Sequence, residues 1–144
     1  MELLSPAGTL EKLRYAYAYG ADAAYVGLRD FSLRSNAGNI DDSQLDELNA
    51  IKGNKRLYAA INSLMHQRDI AVLRDRLDAI ARYPFDAFIV SDMGAGAILK
   101  RRFPDRALHL STQASCLNSA AVAAYRDMGF SRIVLGREAS LEDI

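Results

Sequence analysis

The chain has 144 residues, half of them apolar, and 18 basic side chains balance 18 acidic ones. That length holds one domain with its own core, and the balance lacks the basic excess of a dedicated nucleic-acid binder, though a local basic patch stays open. One cysteine, Cys116, excludes an intrachain disulfide and cannot alone hold a zinc or iron–sulfur site.

No apolar run approaches the roughly 20 residues that cross a bilayer, and the N-terminus lacks the basic-then-apolar order of a signal peptide. A soluble, cytoplasmic protein without a membrane partner is expected.

In chain order, a short apolar run, Glu2 to Ser5, is broken by Pro6-Ala-Gly8. Thr9 can cap the helix that follows, which Gly20 ends. A second run covers Ala23 to Leu28. A polar stretch, Arg29 to Ile40, is too long for a simple connection and has the composition of a binding loop or lid, or of a bare surface loop. A helix from Asp42 to Lys52 then stops at Gly53.

The third run, Arg56 to Leu64, leads to a helix from Asp69 to Arg82 with Ile70, Leu73, Leu77 and Ile80 on one face. The fourth is Ala87 to Val90, and Asp92 can cap a helix from Met93 to Phe103. The fifth is Ala107 to Leu110, after which Asn118 or Ser119 can cap a helix from Ala120 to Met128. The sixth is Arg132 to Leu135, and Ser140 resembles the cap of one more helix.

This is strand then helix, repeated between five and six times, with strands apolar on both faces. Such strands belong in a parallel sheet covered by helices. Three stretches share one plan: Gly20-Ala-Asp-Ala-Ala-Tyr-Val-Gly27, Pro84-Phe-Asp-Ala-Phe-Ile-Val-Ser91 and Gly129-Phe-Ser-Arg-Ile-Val-Leu-Gly136.

No glycine-rich phosphate fingerprint follows the first strand, as an open dinucleotide-binding sheet would have. Polar residues instead close nearly every strand, where (β/α)8 barrels build their active sites. The predicted fold is therefore α/β: an incomplete TIM-type barrel of about six parallel strands. Residues 1–144 would be its N-terminal part, cut after strand six, and the open sheet edges would favour self-association.

The strand ends supply the candidate residues. Asn62, Thr112 and Gln113 offer amide and hydroxyl groups to a bound substrate, with turn chemistry as the alternative. Arg137 can grip a carboxylate or phosphate, and Glu138 can serve as a base, or the two can pair with each other. His66 is the better placed of two histidines for proton transfer, while His109, inside a strand, reads as structural. Asp92 joins the catalytic candidates. Arg34 brings positive charge from the long loop. No metal-ligand motif is present.

Several segments together resemble the U32 peptidases, the collagenase-like proteases: "ELLSPAG", "GADAAYVGLRDFSLRSNAGNI", "AAINSLMHQRDI", "IVSDMGA", "LHLSTQAS" and "RIVLGREAS". The resemblance covers essentially the whole chain. It implies a barrel-type N-terminal domain and hydrolysis of peptide bonds in a peptide or protein substrate.

It also implies an alternative, hydroxylation of RNA or quinone precursors, as in relatives whose iron–sulfur cluster is held by cysteines further along the chain. No cofactor is then expected in residues 1–144, a cluster is possible in the full-length protein, and RNA becomes the partner. A third expectation is an inactive scaffold fragment.

Overall fold

The computed structural model describes residues 1–28, 31, 40–142 and 144. Arg34, expected to face the substrate, lies outside the described residues. In chain order the elements are β1 (Leu4–Pro6), α1 (Leu10–Ala18), β2 (Ala23–Gly27), α2 (Leu45–Lys52), β3 (Arg56–Ile61), α3 (Gln67–Ala81), β4 (Ala87–Val90), α4 (Met93–Arg102), β5 (Ala107–Leu110), α5 (Ser119–Asp127) and β6 (Arg132–Ile133). Short 3-10 turns precede α2 at Asp42–Gln44 and follow β5 at Thr112–Ala114.

The six strands pair in parallel in the order β1-β2-β3-β4-β5-β6. An open doubly wound sheet reverses its strand order at a switch point; this sheet does not. The core gives the same answer. One sheet face, built from residues such as Val26, Ala59, Phe88 and Leu108, packs in one cluster with Leu13 of α1, Leu48 of α2, Leu73 of α3 and Leu99 of α4, and α5 adds Val122 and Tyr125. The other face gathers Ala23, Tyr58, Ala87 and Ile89, with no helix over it among the described residues. Helices on one side and a hollow on the other make a half-barrel, as the sequence predicts.

Local chemistry sets the boundaries. The Thr9 side chain accepts from Lys12 N and starts α1; Asn118 does the same for α5 through Ala121 N. Gly20, Gly53 and Gly129 take positive φ where α1, α2 and α5 stop.

The three similar stretches share one device. Asp22 N donates to Leu3 O, and its carboxylate accepts from Leu3 N. Asp86 N donates to Leu57 O, and its carboxylate accepts from Leu57 N. Ser131 N and Oγ both donate to Leu108 O. The polar residue before each even-numbered strand thus ties that strand to its odd-numbered neighbour.

Several boundaries differ from the sequence reading: β1 runs Leu4–Pro6 rather than Glu2 to Ser5, and α3 begins at Gln67 rather than Asp69. β3 ends at Ile61 rather than Leu64, because Ser63 N turns away to Phe31 O. β6 ends at Ile133 rather than Leu135: beyond it, Leu135 O and Gly136 N bond to the loop after β5. Among the described residues no helix follows Ser140; the chain turns at Gly136, where Ala139 N meets its carbonyl.

Candidate functional site

Side chains alternate along a strand. Asn62, Ser91 and Ser111 stand two residues beyond Ala60, Ile89 and His109, which are in register across β3, β4 and β5 on the helix-free face. Alternation therefore returns all three to the hollow at its C-terminal rim.

They join into one hydrogen-bonded tray. Asn62 Nδ2 donates to Gln113 Oε1 at 3.0 Å, and Ser111 Oγ donates to the same oxygen at 2.5 Å. Ser91 Oγ donates to Asn62 O at 3.3 Å. Gln113 reaches the tray because β5 runs into the 3-10 turn, which Ser111 caps by accepting from Gln113 N. Ser115, in the left-handed region at φ 51, then redirects the chain.

Two further bonds lash this mouth to that of β6: Thr112 Oγ1 donates to Leu135 O at 3.0 Å, and Gly136 N donates to Cys116 O at 2.9 Å. Asn62 Oδ1 is buried without a partner among the described residues. The tray offers amide and hydroxyl groups aimed into the hollow and no ionised group. That chemistry holds a ligand by hydrogen bonds.

The structure brings Asn62 and Gln113 together. Thr112 sits beside them, with its hydroxyl proton spent on the β6 mouth. Asp92 accepts from Ala95 N at 2.8 Å and caps α4. His66 is exposed at the start of α3, where Asp69 accepts from its backbone N. Arg137 and Glu138 are exposed and share no hydrogen bond or ion pair with another described residue. Glu138 Oε2 folds back to within 2.9 Å of where a Cβ on Gly136 would stand. Among the described residues no serine, threonine or cysteine side chain is hydrogen-bonded to either histidine, and no group of His, Cys, Asp and Glu could hold a metal.

Sequence reasoning missed a second polar cluster at the opposite end of the hollow. Glu2 accepts from Arg132 at 2.5 Å and from Tyr58 Oη at 2.9 Å, and pairs with Arg56 at 2.9 Å. The bond from Arg132 leads in holding the Glu2 carboxyl below its usual range, against burial. Burial, then the bond to Glu2, pushes the Tyr58 phenol up.

His109 packs edge-on to Tyr58 at 4.8 Å, 5% exposed, with Nδ1 unpartnered among the described residues. Burial, and then Arg132, push it down to about 4. The signal lay in position: Glu2, Arg56 and Arg132 all stand at strand starts, two residues before or across from inner-row positions.

A family model, Peptidase family U32, matches residues 8–144. The chain belongs to peptidase family U32.

Among its U32 relatives, tRNA hydroxylation protein P of Escherichia coli (strain K12) is 41% identical over 99% of this chain and 32% of its own length. The 23S rRNA 5-hydroxycytidine C2501 synthase of the same organism is 34% identical over 100% of this chain and 22% of its own length. The chain spans between 22% and 35% of the length of the curated relatives it matches. A solved U32 peptidase superposes with a TM-score of 0.73 over 94% of this chain and 58% of its own, at 13% identity. That likeness shows the fold alone.

These findings correct the expected peptide-bond hydrolysis. The relatives at 37–41% identity over 99% of the chain are named for tRNA hydroxylation, and among the described residues of the mouth no nucleophile is joined to a base. Among the described residues no helix is long and apolar enough to cross a membrane.

Proposed function

We propose that these residues form the substrate-holding part of an RNA-hydroxylating enzyme, with the mouth tray as the floor on which the target base rests. The observation that carries this is the 41% identity to tRNA hydroxylation protein P, spread over 99% of the chain. A neutral floor of amides and hydroxyls suits a nucleobase, whose edges are donors and acceptors rather than charges. Gln113 binds it, Asn62 holds Gln113 in place, and Thr112 and Ser111 set the floor's shape. Arg137 and Arg34 serve the RNA phosphates, and His66, Asp92 and Glu138 are the rim groups available for proton transfer. Such an enzyme works in the cytoplasm, where tRNA and ribosomes are.

An iron–sulfur cluster does not fit these residues. Cluster ligation takes about four cysteines, and this chain has one, Cys116, 1% exposed. We place any cluster outside residues 1–144. The solved U32 structure has more chain than this one covers, which supports reading β1 to β6 as the front of a barrel that two further strand–helix units close. The test is whether tRNA nucleosides gain one oxygen when the polypeptide carrying these residues is supplied to cells lacking their own U32 hydroxylation protein.

A further inference from the structure

Gln113 presents an unusual tip to the mouth. Its carbonyl oxygen already accepts two hydrogen bonds, from Ser111 Oγ at 2.5 Å and Asn62 Nδ2 at 3.0 Å. A carbonyl oxygen has two lone pairs, so both are used. The residue is exposed, and its Nε2 has no partner among the described residues.

Reversing the amide would set its NH2 against the Asn62 NH2, unless Asn62 reversed as well. A double reversal would bury the Asn62 NH2 at the position now held by Oδ1, where no partner stands. Two unmet N–H donors then replace one unmet carbonyl, a larger desolvation cost. The tray therefore fixes the outer edge of Gln113 as a donor.

We propose that Gln113 is a specificity-determining residue that donates from Nε2 to an acceptor atom on the edge of the target base, a ring nitrogen or an exocyclic oxygen. Asn62 and Ser111 act as positioning residues that hold the amide in this orientation. The inference rests on the reading of the mouth as an RNA-base floor and deepens it. It assigns the sense of the hydrogen bond: the protein gives the proton and the base receives it. A group offering only N–H donors at that edge would face Nε2 and be rejected, since two donors left facing each other lose the water each had.

The test uses this chain and two RNA pentamers alike except that one carries a central cytidine and the other an abasic residue, with affinities read by fluorescence anisotropy. Wild type is expected to prefer the base-bearing pentamer. Gln113→Glu keeps the shape and replaces the outward donor by an acceptor. It should erase that preference, costing about tenfold against the base-bearing RNA, while changing abasic RNA far less.

An equal loss for both RNAs would mean that the new charge merely repels the backbone, and would overturn the donor role. An unchanged preference would overturn it too, leaving RNA binding standing. If wild type shows no preference for a base, the RNA-base floor itself fails and the donor role fails with it. Ser111→Ala removes one of the two locks without adding charge. It should reduce the preference by a factor of two to three, and an undiminished preference there would refute the locking.

Discussion

His109 shows how one side chain couples burial to pH. Its imidazole sits at 5% exposure against Tyr58, within the fields of Arg132 and Arg56. Folding lowers its pKa from 6.5 to about 4. The folded chain therefore binds fewer protons than the unfolded chain between those values. Stability is full above pH 6.5 and falls as the pH drops towards 4, by up to about 3 kcal/mol. The Glu2 carboxyl, held low chiefly by Arg132, adds stability above its unfolded value that is lost only at more acid pH. The upper part of the window thus belongs to His109. Urea unfolding of His109→Leu between pH 7 and 5 should show a much flatter pH dependence than wild type; an equally steep one would place the titrating group elsewhere.

At the scale of elements, the repeated tie between strands carries a clear expectation. The Asp86 carboxylate accepts from Leu57 N at 2.8 Å and meets Lys52 at 3.3 Å, so it joins β4 to the start of β3. Asp86→Ala removes a charge-assisted bond on a half-exposed side chain. It should cost about 1–2 kcal/mol, read as a lowered urea midpoint with an unchanged slope. Asp86→Asn, which keeps an acceptor, should recover part of it.

Much of this level was legible beforehand. Period, caps and stops placed the five helices and six strands of the described residues, because each rests on local sequence: Thr9, Asp92 and Asn118 cap where their residue type suggests. The echo of three stretches was visible, while its meaning needed the neighbouring strand. The mouth was legible as a set of polar tips, but not which tips meet. Thr112 turns its hydroxyl to Leu135 O, and only the turn after β5 carries Gln113 back to Asn62. The Glu2–Arg132 pair joins residues 130 apart across the hollow, a distance no local pattern encodes.

For the whole molecule the sheet leaves β1 and β6 with one neighbour each. Beside β1 a groove of about 420 Å³ runs between Leu3, Pro6, Tyr15 and Tyr19, and Leu3, Tyr15 and Tyr19 are 58%, 57% and 84% exposed. Open parallel edges beside apolar surface pair with other chains. Residues 1–144 alone should therefore self-associate. Light scattering across a dilution series should show mass rising with concentration; a constant monomer mass would show that the Glu2 clasp and the edge residues suffice to cover the edges.

The account turns on the mouth serving RNA hydroxylation, and nucleoside mass spectrometry tests that most directly. In cells deprived of their own U32 hydroxylation protein, the wild-type polypeptide carrying these residues should restore the added oxygen on tRNA. The Asn62→Ala, Gln113→Ala double variant should lose at least about tenfold of it. Asp78→Ala, at an exposed surface pair with Arg102, should match wild type. Full hydroxylation by the double variant, or none by the wild type, would contradict the account.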